Sequence, residues 1–374
     1  MFFIVALSVY FGGFAYLGWR INSGFGLKPP YNWYLFFSLI GLGLITILAF
    51  VASRYGMPFA SIIGNIGFIV MGALGICATL FIINDIVNIP NLFFKIKSFR
   101  YYSTLITLSI AFLFCVWSVI NTAFFLRVKE ITIPMPGLKV DSLRVIVLSD
   151  IHITAYTSKK KIIELVDKIN SLNPDLIALA GDLVDTDISK NYAEYGLDRL
   201  QSKYGVFAVT GNHEYYAGLK AFFDACRQMD FHVLRNENFT VTVEGESIIT
   251  VSGINDPQGQ SRGYNEETDI NKAFEGIEPG YPVLFLSHRP ELFDEAAAGA
   301  ASRGFNIVQF SGHIHDGQIP PVELVVAFFK YNYGLYKNGD SYMYLTSGTR
   351  WWGPPMRLFN MSEIAVVTLV KSEK

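Results

Sequence analysis

The stretch Val147-Leu148-Ser149-Asp150-Ile151-His152 closes an apolar run that begins at Leu143. The run is short and rich in valine and leucine, and it predicts a buried β-strand. Its end places a carboxylate and an imidazole just beyond the strand, where both can reach one metal ion. A single pair of this kind arises often by chance, so the other strand ends of the chain decide whether it marks a site.

Similar apolar runs recur through the C-terminal part of the chain. They predict strands at 143–148, 176–180, 206–210, 248–253, 283–287, 307–310, 342–346 and 364–369. Helical periodicity predicts helices at about 158–171, 190–202 and 218–229. Residues 239–244 and 247–253 predict a hairpin. This alternation indicates an α/β domain, which we expect to cover 141–374.

Five of the six histidines follow predicted strands. They are His152, His213, His288, His313 and His315. Gly211-Asn212 directly precedes His213, and Gly181-Asp182 follows one further strand. Taken singly, each has an ordinary interpretation as a turn, a surface loop or the start of a helix. Open α/β sheets place their ligands outside the carboxyl ends of the strands, so one shared metal centre explains all of them. His232 has no such neighbours, and we expect it to be structural.

The N-terminal third has the composition of a membrane region. The chain has 374 residues and is 51% hydrophobic, and residues 1–126 contain few charges and no histidine. Four apolar runs, about 2–19, 33–53, 58–86 and 104–126, approach or exceed the roughly 20 residues that cross a bilayer. The first run lacks a preceding basic segment and a clear cleavage site, which favours a retained helix. We therefore expect a transmembrane region at 1–127 and a linker at 128–140.

Basic residues in the loops predict the orientation. The first and third loops carry Arg20, Lys28, Lys95, Lys97 and Arg100, whereas the opposite side carries Arg54, Arg127 and Lys129. The positive-inside rule makes the first and third loops cytoplasmic, so we expect the large domain outside the cytoplasm.

Overall charge and cysteine content exclude several classes of function. The net charge of −2 gives no support for binding a nucleic-acid polymer. The chain has three cysteines, Cys77, Cys115 and Cys226, and only the last lies in the predicted soluble domain. That domain can form neither an internal disulfide nor a zinc site built from several thiolates.

The complete set of motifs resembles the calcineurin-like metallophosphoesterases. The matching blocks are Asp150-x-His152, Gly181-Asp182, Gly211-Asn212-His213-Glu214, His288 and Gly312-His313-x-His315, in that order. The tail from Ser347 to Arg357 is similar to the bacterial membrane-anchored branch of that family. The resemblance implies a four-layer αββα sandwich that holds two divalent metal ions.

The resemblance also implies a role for each site residue. The first metal would be bound by Asp150, His152 and His315, the second by Asn212, His288 and His313, and Asp182 would bridge both. His213 would be catalytic, stabilising charge or protonating the leaving oxygen. Arg350 and Arg357 are candidates for binding phosphate, with a surface ion pair as the alternative for each.

We expect a membrane-anchored phosphoester hydrolase in a bacterial cell membrane. The resemblance implies in-line attack on a phosphodiester by a metal-bridging hydroxide. Nitrogen and oxygen ligands favour Mn²⁺, with Fe or Zn as alternatives. The substrate would be a nucleotide, a cyclic nucleotide or a lipid-linked phosphate, and Val325–Phe329 and Trp351-Trp352 are apolar stretches that could meet the bilayer. The alternatives are a receptor or scaffold that keeps the fold without turnover, and a transporter with an appended domain. The sequence does not indicate an oligomeric state.

Overall fold

The computed structural model describes residues 2–54, 60–154 and 157–372. The chain divides into two compact units. The helical unit contains the chain up to Phe125 together with segments 317–327 and 353–361, and the sandwich unit contains 126–316, 328–352 and 362 onward. The two C-terminal segments were expected in the α/β domain. They belong to the helical unit because Ile319, Met356 and Leu358 pack with Ile76 of a long helix.

The helical unit is built on four long helices. They are α1 (Phe2–Phe25), α2 (Tyr31–Arg54), α3 (Ala60–Val87) and α4 (Lys97–Phe124), with a single turn at Asn91–Phe94 before α4. All four are long and apolar enough to cross a membrane, which marks the chain as a membrane protein. Residues 58 and 59, where we predicted the third helix to begin, lie outside the described residues.

Two six-stranded sheets form the sandwich unit. Its strands are β1 (Leu126–Pro136), β2 (Ser142–Leu148), β3 (Leu176–Ala180), β4 (Val206–Val209), β5 (His232–Val233), β6 (Glu237–Val243), β7 (Glu246–Gly253), β8 (Pro282–Leu286), β9 (Asn306–Ser311), β10 (Gly334–Asn338), β11 (Ser341–Leu345) and β12 (Ser362–Ser372). The first sheet has the order β1-β12-β2-β3-β4-β5 and the second has the order β10-β11-β9-β8-β7-β6. Neighbours β2 to β5 are parallel, as are β7, β8, β9 and β11.

Helices cover the outer face of each sheet. The inner faces meet in one apolar core that contains Val145 and Ala178 from the first sheet and Leu284 and Phe310 from the second. Helices α5 (Lys159–Asn170) and α6 (Leu219–Gln228) cover the outside of the first sheet, and α7 (Phe293–Ser302) covers the outside of the second. The predicted four-layer αββα sandwich is therefore confirmed. Shorter helices lie at Glu214–Ala217, Gln258–Ser261, Ile270–Ala273 and Val322–Val326, with single 3-10 turns at Pro290–Leu292 and His315–Gly317.

Two local predictions differ from the structure. Most of the segment that we expected as a linker, 128–140, lies in β1, which pairs in parallel with β12 along its full length. We did not predict a strand here because the segment contains two prolines. Proline is tolerated in β1 because this strand lies at the edge of its sheet. The helix predicted at 190–202 is two 3-10 turns, because Gly196 between them has a φ of +70°.

Candidate metal centre

The candidate site lies where neighbouring parallel strands end. Asp150, Asp182 and Asn212 follow β2, β3 and β4, which are adjacent in the first sheet. His288 and His313 follow β8 and β9, which are adjacent in the second sheet. Because the carboxyl ends of parallel strands share one edge, the topology brings residues together that are far apart in sequence.

The candidate ligands form two adjacent groups, and a third group, His152, Asp182 and His213, overlaps both. In the first group, the distance from Asp150 Oδ1 to His315 Nε2 is 3.2 Å and that between the Nε2 atoms of His152 and His315 is 3.1 Å. In the second, Asp182 Oδ2 lies 3.2 Å from His288 Nε2, and His313 completes the group. Asp182 Oδ2 is also 3.7 Å from His152 Nε2 in the first group. Asp182 therefore lies where a ligand shared by two ions would have to lie.

Asn212 supplies the most direct test of whether an ion fits. Its side chain is almost completely buried, at 8% exposure. Within the described residues, Asn212 Oδ1 has no hydrogen-bond donor. A buried amide oxygen without a partner costs about 1–3 kcal/mol, so its retention at this place is explained if a cation accepts its lone pair. The neighbouring donors are imidazole nitrogens and carboxylate oxygens, which suit Mn²⁺, Fe or Zn.

The backbone of the candidate ligands is held in an unusual conformation. Five of them have left-handed φ angles, namely Asp150 (57°), His152 (49°), Asp182 (54°), His313 (78°) and His315 (54°). Residues other than glycine adopt this region rarely, and each such residue costs of the order of 1–3 kcal/mol. Strain of this kind persists at functional sites, where it aims side chains at one point.

Glycine is required at two positions by close approach. A Cβ at Gly312 would lie 1.9 Å from Ser149 Oγ and 2.2 Å from Asp150 Oδ2. A Cβ at Gly211 would lie 2.2 Å from Asp182 Oδ1. Both distances are far inside van der Waals contact, so the carboxylates keep their positions only because these glycines lack a side chain.

Glu214 organises two of the loops. Its buried carboxylate accepts hydrogen bonds from four backbone N–H groups, those of Asp182, Leu183, Val184 and Gly211, at 2.6–3.1 Å. Burial and the nearby Asp182 carboxylate raise the pKa of Glu214 to about 7, while the N–H donors act in the opposite direction. One side chain thus fixes the ends of β3 and β4 relative to each other.

Asp185 orients two imidazoles. Asp185 Oδ1 lies 2.8 Å from His152 Nδ1 and 2.9 Å from His213 Nδ1. A carboxylate at Nδ1 fixes the ring orientation, and Nε2 of His152 faces the first group of candidate ligands. We did not identify Asp185 as a site residue from the sequence.

Arg289 is a second residue that the sequence analysis missed. Its guanidinium donates to both carboxylate oxygens of buried Asp256, with Nε at 2.8 Å and Nη2 at 3.3 Å. Its Nη1 lies 3.3 Å from His313 Nε2. The arrangement fixes a positive charge beside the second group of candidate ligands.

Carboxylates and imidazoles within the site stabilise each other's charged forms. Burial opposes ionisation of Asp182, but His288 and the other imidazoles hold the pKa of this carboxyl below its usual value. Burial likewise opposes charge on His288, and Asp182 outweighs it and raises the pKa of His288 to about 10. His313 differs, because burial, His288 and Arg289 lower its pKa to about 4. A divalent cation at this place would compensate the charge of the buried carboxylates in the same way as the imidazoles do.

The structure places the remaining predicted residues as follows. Arg350 Nη1 donates to Ile151 O at 3.1 Å, and its guanidinium stacks over the Trp351 ring. Arg357 is completely buried in the helical unit, where Nη1 donates to Asn360 Oδ1. Substrate binding by these two arginines stays a prediction. The ring of His232 stacks on Phe207 in the sheet.

Comparison with known proteins identifies the family. The family model of calcineurin-like phosphoesterases matches residues 143–317. An uncharacterized metallophosphoesterase of Campylobacter jejuni is 32% identical over 71% of this chain and 68% of its own length. One of Aquifex aeolicus is 30% identical over 66% of this chain and 92% of its own. The chain belongs to the calcineurin-like metallophosphoesterases, as the motifs predicted.

A relative from an animal is similar in sequence. A zebrafish protein called transmembrane protein with metallophosphoesterase domain is 32% identical over 73% of this chain. The match spans 63% of the zebrafish protein, slightly less than two thirds of its length. Among solved structures, a 5'-nucleotidase precursor from Thermus thermophilus aligns over 62% of this chain and 54% of its own, with 16% identity and a TM-score of 0.36.

Gly312→Ala tests the close approach at the centre. We expect the added methyl group to displace Ser149 and Asp150 and to reduce bound metal severalfold, measured by mass spectrometry of the metal content of purified protein. The matched control is Gly299→Ala in α7, where a Cβ would meet nothing closer than 3.7 Å. Equal metal content in the two variants would show that this glycine is not needed for the site.

Proposed function

We propose that this protein is a membrane-anchored phosphoester hydrolase that acts on phosphodiesters with two divalent metal ions, Mn²⁺ in the first place. The observation that carries the proposal is the cluster of buried Asp150, Asp182 and imidazoles beside an oriented His213. A binding module would need neither the second group of ligands nor a histidine held by its own carboxylate. The candidate substrates are a nucleotide, a cyclic nucleotide and a lipid-linked phosphate.

The ligand set follows from the two groups. One ion would be held by Asp150, His152 and His315. The other would be held by His288, His313 and the side-chain oxygen of Asn212, and Asp182 would bind both ions. Two divalent ions, when bound, supply Lewis-acid activation of water and of the phosphoryl group.

His213 would act on the leaving group. Asp185 binds its Nδ1, and the ring packs edge-on against Tyr216 and Trp352, so the ring has little freedom to rotate. The side chain is 14% exposed, which leaves it open to a bound ester. Its Nε2 can hold a proton for the departing oxygen, and Asp185 stabilises the charged imidazole.

Arg289 would bind the phosphoryl group. The guanidinium is held by Asp256, to which Nε and Nη2 donate. These two hydrogen bonds use only part of its five N–H donors. The charge lies next to His313, at the edge of the second ligand group. A guanidinium placed in this way matches two oxygens of a phosphate and discriminates against neutral molecules.

We also propose that the sandwich unit lies outside the cytoplasm of a bacterial cell. Support comes from the greater number of basic residues in the first and third interhelical loops and in the helix ends beside them. A protease added to intact cells should then cleave the sandwich unit. Complete protection in intact cells, with cleavage after lysis, would contradict this orientation.

Metal-dependent turnover tests the proposed function. Purified protein should hydrolyse bis(p-nitrophenyl) phosphate with Mn²⁺, lose the activity on treatment with EDTA and regain it when Mn²⁺ is restored. Parallel assays with p-nitrophenyl phosphate, a cyclic nucleotide and a lipid-linked diester would rank the ester classes. Two bound ions without turnover of any ester would favour a receptor or scaffold.

His213→Ala separates catalysis from metal binding. We expect turnover to fall by about 10²–10⁴, the usual contribution of general acid–base catalysis, while metal content is unchanged. His232→Ala serves as the control, because that histidine lies in β5 and packs on Phe207. Loss of metal from His213→Ala would mean that His213 is a ligand.

Arg289→Gln tests phosphate recognition. A charge-assisted hydrogen bond contributes about 1.5–3 kcal/mol, so kcat/KM should fall about 10- to 100-fold. Arg227→Gln is the control, since its side chain is 79% exposed on α6. The two variants should keep equal metal content, and an unchanged kcat/KM in Arg289→Gln would rule out this contact.

A further inference from the structure

Two segments from the C-terminal half of the chain are built into the helical unit. They are segment 317–327 and segment 353–361, which we call the first and second docking segments. Ile319 of the first and Met356 and Leu358 of the second pack with Ile76 of α3, and Phe114 of α4 borders the same cluster. The docking segments thus pack on two membrane-spanning helices.

The docking segments contact α3 far from its end. A Cβ at Gly72 would lie 2.6 Å from Met356 Sδ, and one at Gly75 would lie 2.7 Å from Pro320 O. Both glycines therefore allow the docking segments to reach the helix backbone. Asp85, paired with Arg20, marks the polar end of α3 distant from this contact.

Distance along α3 gives the depth of the contact. At about 1.5 Å per residue, Gly72 lies roughly 20 Å from Asp85. The hydrocarbon core of a bilayer is about 30 Å thick. With Asp85 at one boundary, the contact at Gly72 lies inside the core, roughly 10 Å from the other boundary. The docking segments consequently reach below the headgroups of one leaflet.

Several backbone polar groups in the docking segments have hydrogen-bond partners on α4, as a bilayer demands. Asn121 Nδ2 donates to the carbonyl oxygens of Arg357 (2.9 Å) and Asn360 (2.8 Å), and Trp117 Nε1 donates to Leu358 O (3.1 Å). The amide of Arg357 donates to Ser118 O in return. Between the segments, Gln318 Nε2 donates to Pro354 O and Asn360 Nδ2 to Glu323 Oε1. Irregular backbone is tolerated at membrane depth only under these conditions.

Large apolar side chains on the docking segments nevertheless remain exposed. Val322 is 53% exposed, Leu324 50%, Val325 55% and Phe359 70%. Such side chains gain about 1.5–3 kcal/mol each when fully removed from water. The Phe359 ring contacts the ring of Phe114 at 5.7 Å, and Phe112 and Leu113 on α4 are also exposed. The exposed face of the second docking segment therefore continues the surface that α4 presents to lipid.

We propose that the exposed apolar side chains of the docking segments lie among the acyl chains of the leaflet nearer to them. The occupant of this surface is lipid rather than a protein partner, because the surface is continuous with a membrane-spanning helix and lies at hydrocarbon depth. The four helices are then only part of the membrane anchor, and these C-terminal segments are the rest. The proposal does not depend on the proposed hydrolase activity.

Site-specific quenching tests this proposal in the full-length protein. Cys77, Cys115 and Cys226 are replaced by alanine, and single cysteines are introduced as Val325→Cys, Phe359→Cys and, as control, Lys160→Cys. The Lys160 side chain is 86% exposed on α5 of the sandwich unit. Each variant is labelled with the dye NBD and placed in lipid nanodiscs at one copy per disc, and circular dichroism verifies folding.

Lipids that carry a nitroxide on the acyl chain and soluble iodide are the two quenchers. At Val325 and Phe359 we expect severalfold stronger quenching by the nitroxide lipid, and severalfold weaker quenching by iodide, than at Lys160. Iodide quenching at both positions equal to that at Lys160 would overturn the proposal. Protection from both quenchers would also overturn it, because the surface would then be covered by protein.

Discussion

Burial of two carboxylates, Asp150 and Asp182, is the constraint on which the rest of the sandwich unit depends. Both side chains are almost inaccessible to solvent, and an ionised group in such a place needs compensating charge nearby. Imidazoles from four different loops provide the partners. Bringing them there requires parallel strands that end at one edge, glycines that let loops meet, and left-handed backbone at five positions. The features that form the sandwich are therefore the same features that bring the site residues together.

Much of this arrangement could be predicted from the sequence. Apolar runs that end in Asp, Asn or His predicted both the strands and the candidate ligands. Buried strands leave this signal because they are apolar along their length and the ligands follow directly after them. Asp185 and Arg289 escaped prediction because their roles come from contacts across loops. A carboxylate three residues after Asp182 is an ordinary surface residue until the fold places it between two histidines.

The errors have equally physical origins. We did not predict strand β1 because it contains prolines. Prolines are compatible with this strand because β1 lies at the edge of its sheet. Segments 317–327 and 353–361 were assigned to the α/β domain because the sequence could not show that Asn121 and Trp117 bind carbonyl groups of the second segment. Arg357 lies in the second of these segments, where it is buried against Asn360, and phosphate binding by this arginine stays a prediction.

The central claim is that two metal ions occupy this cluster, and anomalous X-ray diffraction from crystals grown with Mn²⁺ would test it most directly. The account predicts two anomalous peaks, one among Asp150, His152 and His315 and one among Asn212, His288 and His313, with Asp182 in contact with both. A single peak, or none within the cluster, would contradict it.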